Sequence, residues 1–166
     1  MLGRYTYTLQ EIKTGRALIG ADLRAYRELP AKAKTKEFEA LYFNRAVQML
    51  DYLFVHRLRA VEGKDGNALV EVRVLCNSIL LNEGKVQIEK VREWPESAGS
   101  SLKLAPEKSV LGMKNGDPVQ LTEAQFVKLA DAFFKELEKK FIEGSASPMP
   151  AKRRVRERSK GMNTWL

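Results

Sequence analysis

Between Lys36 and Val61 apolar residues recur on two sides of a single helical repeat. Phe38, Tyr42, Met49, Leu53 and Ala60 line one side, and Leu41, Val47, Leu50, Phe54, Leu58 and Val61 line another. A helix that is apolar on two sides must be covered on two sides, so other helices have to wrap around it. The spacing therefore predicts a central helix over 36–61 in a mainly helical domain.

The flanking segments supply its neighbours. Thr8 stands at a cap position ahead of Leu9, Ile12, Ile19, Leu23 and Tyr26, which predicts a helix from about Leu9 to Leu29. Pro30 stops it. The run EGKDGN at 62–67, with two glycines and an Asp-Gly pair, ends the central helix, and Asn67 can cap the next element. The segment 68–82 reads two ways. Leu69, Val72, Cys76, Ile79 and Leu80 fit a helix, whereas Val70, Val72 and Val74 alternate with Glu71 and Arg73 as in a strand. Length and the stop at Gly84 favour the helix; a strand there would make the fold α+β.

From Lys85 to Leu121 short alternating pieces (85–91, 101–104 and 119–121) are separated by PESAGSS, PEK and KNGD. Such turn chemistry predicts a small antiparallel β element of two or three strands. Thr122 and Gln125 form a capping box. The last helix then runs to about Ile142, with Phe126, Leu129, Ala130, Phe133, Leu137 and Phe141 on one stripe, and Gly144 ends it. The expected fold is mainly α, with about four principal helices in a bundle-like core and the β element between the third and last. The globular domain is expected over 1–143.

The chain has 166 residues, a length suited to one domain with its own core. No stretch approaches the ~18 uninterrupted apolar residues of a membrane span. The opening MLGRYTYTLQEIK lacks the apolar run of a secretory signal. A single cysteine, Cys76, allows no internal disulfide, so the cytosol is the expected compartment and no membrane partner is expected.

One polar cluster is a candidate site. His56 lies deep in the central helix, followed by Arg57, Arg59, Glu62, Lys64, Asp65 and Asn67, then Glu71 and Arg73. If the two helices fold back as a hairpin, these groups meet at one end of the bundle. A catalytic reading makes His56 the acid or base, Glu62 and Asp65 the carboxylates, and arginines such as Arg73 the anion clamps. The opposing reading is a helix terminus tied together by caps and ion pairs.

Other chemistries find little. Asp65, Asn67 and Glu71 lack EF-hand spacing. One Cys and one His build no structural zinc site. Asp51 with Glu62-Gly63-Lys64 carries the letters of a D…ExK nuclease motif, but Asp51 is expected on a helix, where that chemistry is rarely presented. Neither a phosphate loop nor a dinucleotide fingerprint occurs, so no metal and no cofactor are expected. The arginine-then-histidine spacing of helical ribonucleases of the HEPN type is absent, because no histidine follows Arg73.

Charge is the strongest functional signal. The segment 144–166 holds Lys152, Arg153, Arg154, Arg156, Arg158 and Lys160 against Glu157 alone, which is +5 of the chain's formal +8. With its prolines and small polar residues it is expected to be a flexible basic tail. Arginines there would track phosphates while Trp165 and Leu166 stack on a base or anchor in a groove. The expectation is a non-enzymatic adaptor engaging nucleic acid or a nucleoprotein. The alternatives are a homo-oligomeric scaffold whose tail docks on a neighbouring subunit or other protein partner, and a hydrolase, for instance a nuclease, using the His56 to Arg73 cluster.

Overall fold

The structure is a computed structural model, and it describes residues 3–63, 66–88, 104 and 106–142. Four long helices carry it: α1 (Leu9–Arg27), α2 (Lys36–Leu53), α4 (Ala68–Leu81) and α5 (Glu123–Phe141). A single-turn helix, α3 (Arg59–Glu62), links α2 to α4, and 3₁₀ turns occupy Ala31–Ala33 and Pro106–Lys108.

Each long helix starts where a side chain can satisfy its first N–H groups. The Thr8 hydroxyl accepts from Glu11 N at 3.2 Å while Glu11 Oε2 accepts from Thr8 N at 2.8 Å. Thr122 and Gln125 repeat this reciprocal arrangement on α5. Thr35 caps α2 through Phe38 N, and Asn67 caps α4 through Leu69 N and Val70 N.

In the core, α2, α4 and α5 pack on one another and α1 flanks α2 and α5. Phe43, Leu50, Leu69, Leu75, Phe126, Phe133 and Leu137 are fully enclosed. Around Phe54 sit the rings of Tyr7, Phe133 and Phe134, with centroids 5.2, 6.0 and 6.0 Å away. Gly15 of α1 admits that ring: a Cβ built there would lie 2.7 Å from Phe54 Cζ.

Segment 68–82 is helical, which removes the α+β alternative. Val70, Val72 and Val74 are all buried, so the strand-like alternation reflects a helix enclosed on nearly every side. The expected β element contracts to one antiparallel bridge, Lys85 to Pro118, and no sheet forms among the described residues. Val86 N donates to Asp117 O and Val119 N to Gly84 O, but Asp117 N turns to Lys114 O and Gly84 N to Ser78 O, so the pairing stops at one bridge. Of the expected strand 101–104 only Leu104 is described, and it is buried; residues 89–91 lie outside the described residues.

The central helix is shorter than expected. It ends at Leu53, not Val61, and residues 54–58 turn away before α3. Two tertiary interactions replace the helical hydrogen bonds. Arg4 N donates to His56 O at 2.7 Å and Leu58 N donates to Arg4 O at 3.0 Å, so the N-terminal segment pairs into the break. The Arg57 guanidinium, turned inward, donates to Phe54 O at 2.9 Å. The buried face of α2 consists of Phe43, Ala46, Val47 and Leu50, while Leu41 and Met49 stay exposed.

Candidate functional site

The break after α2 builds the polar cluster. Asp51 sits in the last turn of α2, Arg57 beyond the turn, Glu62 at the end of α3, and Arg73 in the middle of α4. Their side chains form an alternating chain of charge. Arg57 Nη2 lies 2.6 Å from Asp51 Oδ1 and 3.4 Å from Glu62 Oε1, and Arg73 Nη2 lies 2.9 Å from Glu62 Oε2. The Arg57 side chain is 0% exposed and that of Glu62 is 2% exposed. Phe133 supplies a ring face 5.0 Å from the Arg57 guanidinium carbon.

Backbone groups are secured by the same cluster. Asn67 Nδ2 donates to Glu62 O at 2.8 Å, and Lys140 Nζ of α5 donates to that carbonyl at 2.7 Å. Gly63, at φ 85°, turns the chain out of α3. Arg59 lies alongside; burial, and then the neighbouring Arg73 charge, lower its guanidinium pKa below the ordinary value. The cluster thus ties α2, α3, α4 and α5 together at one end of the bundle.

The expected catalytic set separates. Glu62 and Arg73 do meet, but both carboxylate oxygens of Glu62 face arginines and are shut off from solvent. His56 is exposed, and among the described residues it is engaged through its backbone carbonyl, by Arg4 N. Asp65 and Lys64 lie outside the described residues, so the third member of the D…ExK pattern does too. Between Asp51 and Glu62, where that motif would place a metal, stands the Arg57 guanidinium. Among the described residues no group of three His, Cys, Asp or Glu side chains could hold a metal ion.

Glu71, expected with this cluster, faces elsewhere. Its Oε1 accepts from Ser109 Oγ at 2.7 Å and Leu111 N at 3.1 Å, and its Oε2 accepts from Val110 N at 2.6 Å. It latches the loop after the Pro106 turn onto α4. Cys76 is buried against Val47 O, and burial pushes its thiol well above the usual range, so it carries no thiolate at neutral pH.

Arg57 is the residue that spacing alone undervalues. Inside an uninterrupted helix it would project as a surface cation; only the break at 54–58 turns it inward. Lys152, Arg153, Arg154, Arg156, Arg158, Lys160, Trp165 and Leu166 lie outside the described residues.

Two shallow grooves lie among the described residues. One, of about 310 Å³, runs between Arg4, Thr8, Glu11 and Gly15 on one side and Leu53 and Phe54 on the other. The second, of about 480 Å³, is floored by Gln48, Cys76 and Asp51 and rimmed by Arg45, Met49, Tyr52, Val55 and Leu80. No described helix is long and apolar enough to cross a membrane. No protein-family model, curated protein sequence or solved structure matches the chain.

Proposed function

We propose that this protein is a non-enzymatic, cytoplasmic adaptor whose helical core carries a basic segment, 144–166, that engages nucleic acid or a nucleoprotein. One observation carries the reading: six cations fall within residues 152–160, and 144–166 holds +5 of the formal +8. That leaves +3 across the other 143 residues, too little for a broad cationic face on the core. Chemistry at the polar cluster is the weaker reading, because Asp51, Arg57, Glu62 and Arg73 are committed to one another and His56 stands apart.

Fluorescence anisotropy with labelled single-stranded RNA and DNA tests the proposal. The full chain is compared with a variant carrying Gln at Lys152, Arg153, Arg154, Arg156, Arg158 and Lys160. If all six cations contact phosphates, log K falls against log salt with a slope of about −4 on single strands, and the Gln variant loses binding. Equal binding by the two proteins, or none by either at physiological salt, would remove the proposal.

A further inference from the structure

The face of α2 opposite the core has no cover among the described residues, although it is built for one. Leu41, Arg45, Gln48, Met49 and Tyr52 lie within an arc of about 100° on the helix, a continuous stripe on its outer side. Val55, beyond the helix end, and Leu80, from α4, extend it into the groove of about 480 Å³. Leu41 is 57% exposed, Tyr52 70% and Leu80 65%. Exposed apolar residues scattered singly are ordinary, but here they adjoin along one ridge and one groove.

Charge narrows the occupant. Arg45 is the stripe's one cation, and Asp51 on the groove floor is held by Arg57. Nucleic acid or an anionic membrane surface would call for several cations in this place. An apolar, nearly uncharged protein face suits it, and the stripe itself is such a face.

We propose that the α2–α4 face seats a second copy of this chain, the two α2 helices running antiparallel about a twofold axis near Gln48 and Met49. Such an interface is self-complementary, each residue meeting its counterpart across the axis. Leu41 then meets Val55 of the second copy, and Arg45 meets the Tyr52 ring, a cation–π contact. Parallel pairing would instead set Arg45 against Arg45. A detail near the axis agrees with this pairing. Gln48 Oε1 accepts from Arg45 Nη1 at 3.0 Å, while the enclosed Gln48 Nε2 has no acceptor among the described residues. Once Arg45 turns to the Tyr52 ring across the interface, Gln48 is released to swing outward and pair its amide with that of the second copy. From Leu41 to Tyr52 the stripe spans about 17 Å at the helical rise, which places the contact near the small end of specific interfaces.

Sedimentation equilibrium of the full chain over roughly a hundredfold concentration range, centred at about 10 μM, tests for self-association. Nuclease treatment and high salt keep bridging by nucleic acid on 144–166 from registering, so failure here is distinguishable from failure of the adaptor proposal. A monomer–dimer equilibrium is expected, and Tyr52→Glu should leave only monomer while circular dichroism and melting temperature hold. Geometry is read in a Cys76→Ser background under mild oxidation. Met49→Cys, next to the axis, should cross-link to itself, whereas Tyr52→Cys, about 10 Å from its counterpart by the helical rise, should not. A monomer at every concentration, a dimer indifferent to Tyr52→Glu, or cross-linking of Tyr52→Cys in preference to Met49→Cys would overturn the proposal.

Discussion

Arg57→Met should destabilise the fold by about 3–5 kcal/mol, the cost of removing one partner from a buried ion pair. The structure places this change at the expensive end. Arg57 is fully enclosed, it answers two carboxylates, and it also donates to Phe54 O. Methionine fills the stem of the side chain but takes from Asp51 its 2.6 Å partner and from Glu62 one of its two arginine contacts. Arg57→Lys keeps the charge and should still lose at least half as much, because an ammonium cannot span Asp51, Glu62 and the carbonyl as the planar guanidinium does. For a domain of this size the Met variant should melt roughly 10–15 °C lower. Urea unfolding followed by circular dichroism measures the loss, and a double-mutant cycle with Glu62→Gln should return a coupling of about 1–3 kcal/mol. A cost below about 1 kcal/mol for Arg57→Met, or a Lys variant equal to the native protein, would refute the reasoning, since both would mean that water reaches the cluster.

Other contacts give three further expected outcomes. Glu71→Gln turns an amide N–H₂ toward the donors of residues 109–111 and should cost about 2 kcal/mol, with faster hydrogen exchange at Val110 and Leu111. Unchanged exchange there would show that the latch is not held by Glu71. Gly15→Ala gains about 1 kcal/mol of helix propensity but presses a methyl into the confined Phe54 ring, so a net loss and a lower urea midpoint are expected; a rise would mean that the ring yields. The third concerns pH. The Arg4 guanidinium, then the Thr8 backbone N–H, hold the Glu11 carboxyl at about 2, below its ordinary 4.5. A carboxylate lowered on folding stabilises the native state above its unfolded value, and that contribution fades as pH falls from about 4.5 toward about 2. The pair is largely exposed, so the effect is small. Glu11→Gln should flatten the acid limb of the stability curve slightly, and an identical limb would contradict the assignment.

Where local chemistry sets the structure, the sequence is legible. The capping boxes at Thr8–Glu11 and Thr122–Gln125, the Asn67 cap and the stripe from Phe126 to Phe141 are all present in the fold. Tertiary pairing overrides the pattern in two places. Residues 54–58 keep helical spacing, yet Arg4 from a distant segment captures their backbone groups. Asp117 N turns to Lys114 O and Gly84 N to Ser78 O, which limits the β element to a single bridge. The candidate site is legible as a place but not as a role. Glu62 and Arg73 do converge, while the central position of Arg57 depends on the same break that periodicity does not record. Glu71 has the sequence position of a member of that cluster, yet Ser109, Val110 and Leu111, some forty residues on by the numbering, claim its carboxylate.

The proposed function makes core maintenance by buried ions and binding by the basic segment separable properties. The most direct test measures both on two variants. Anisotropy with labelled single-stranded RNA and thermal unfolding are run on Arg57→Lys and on the protein with all six cations at 152–160 replaced by Gln. Arg57→Lys is predicted to melt lower yet, while folded, to bind as the native chain does. The six-site variant should melt with the native chain and not bind. Loss of binding in folded Arg57→Lys, with binding retained by the six-site variant, would contradict this division and return the function to the polar cluster.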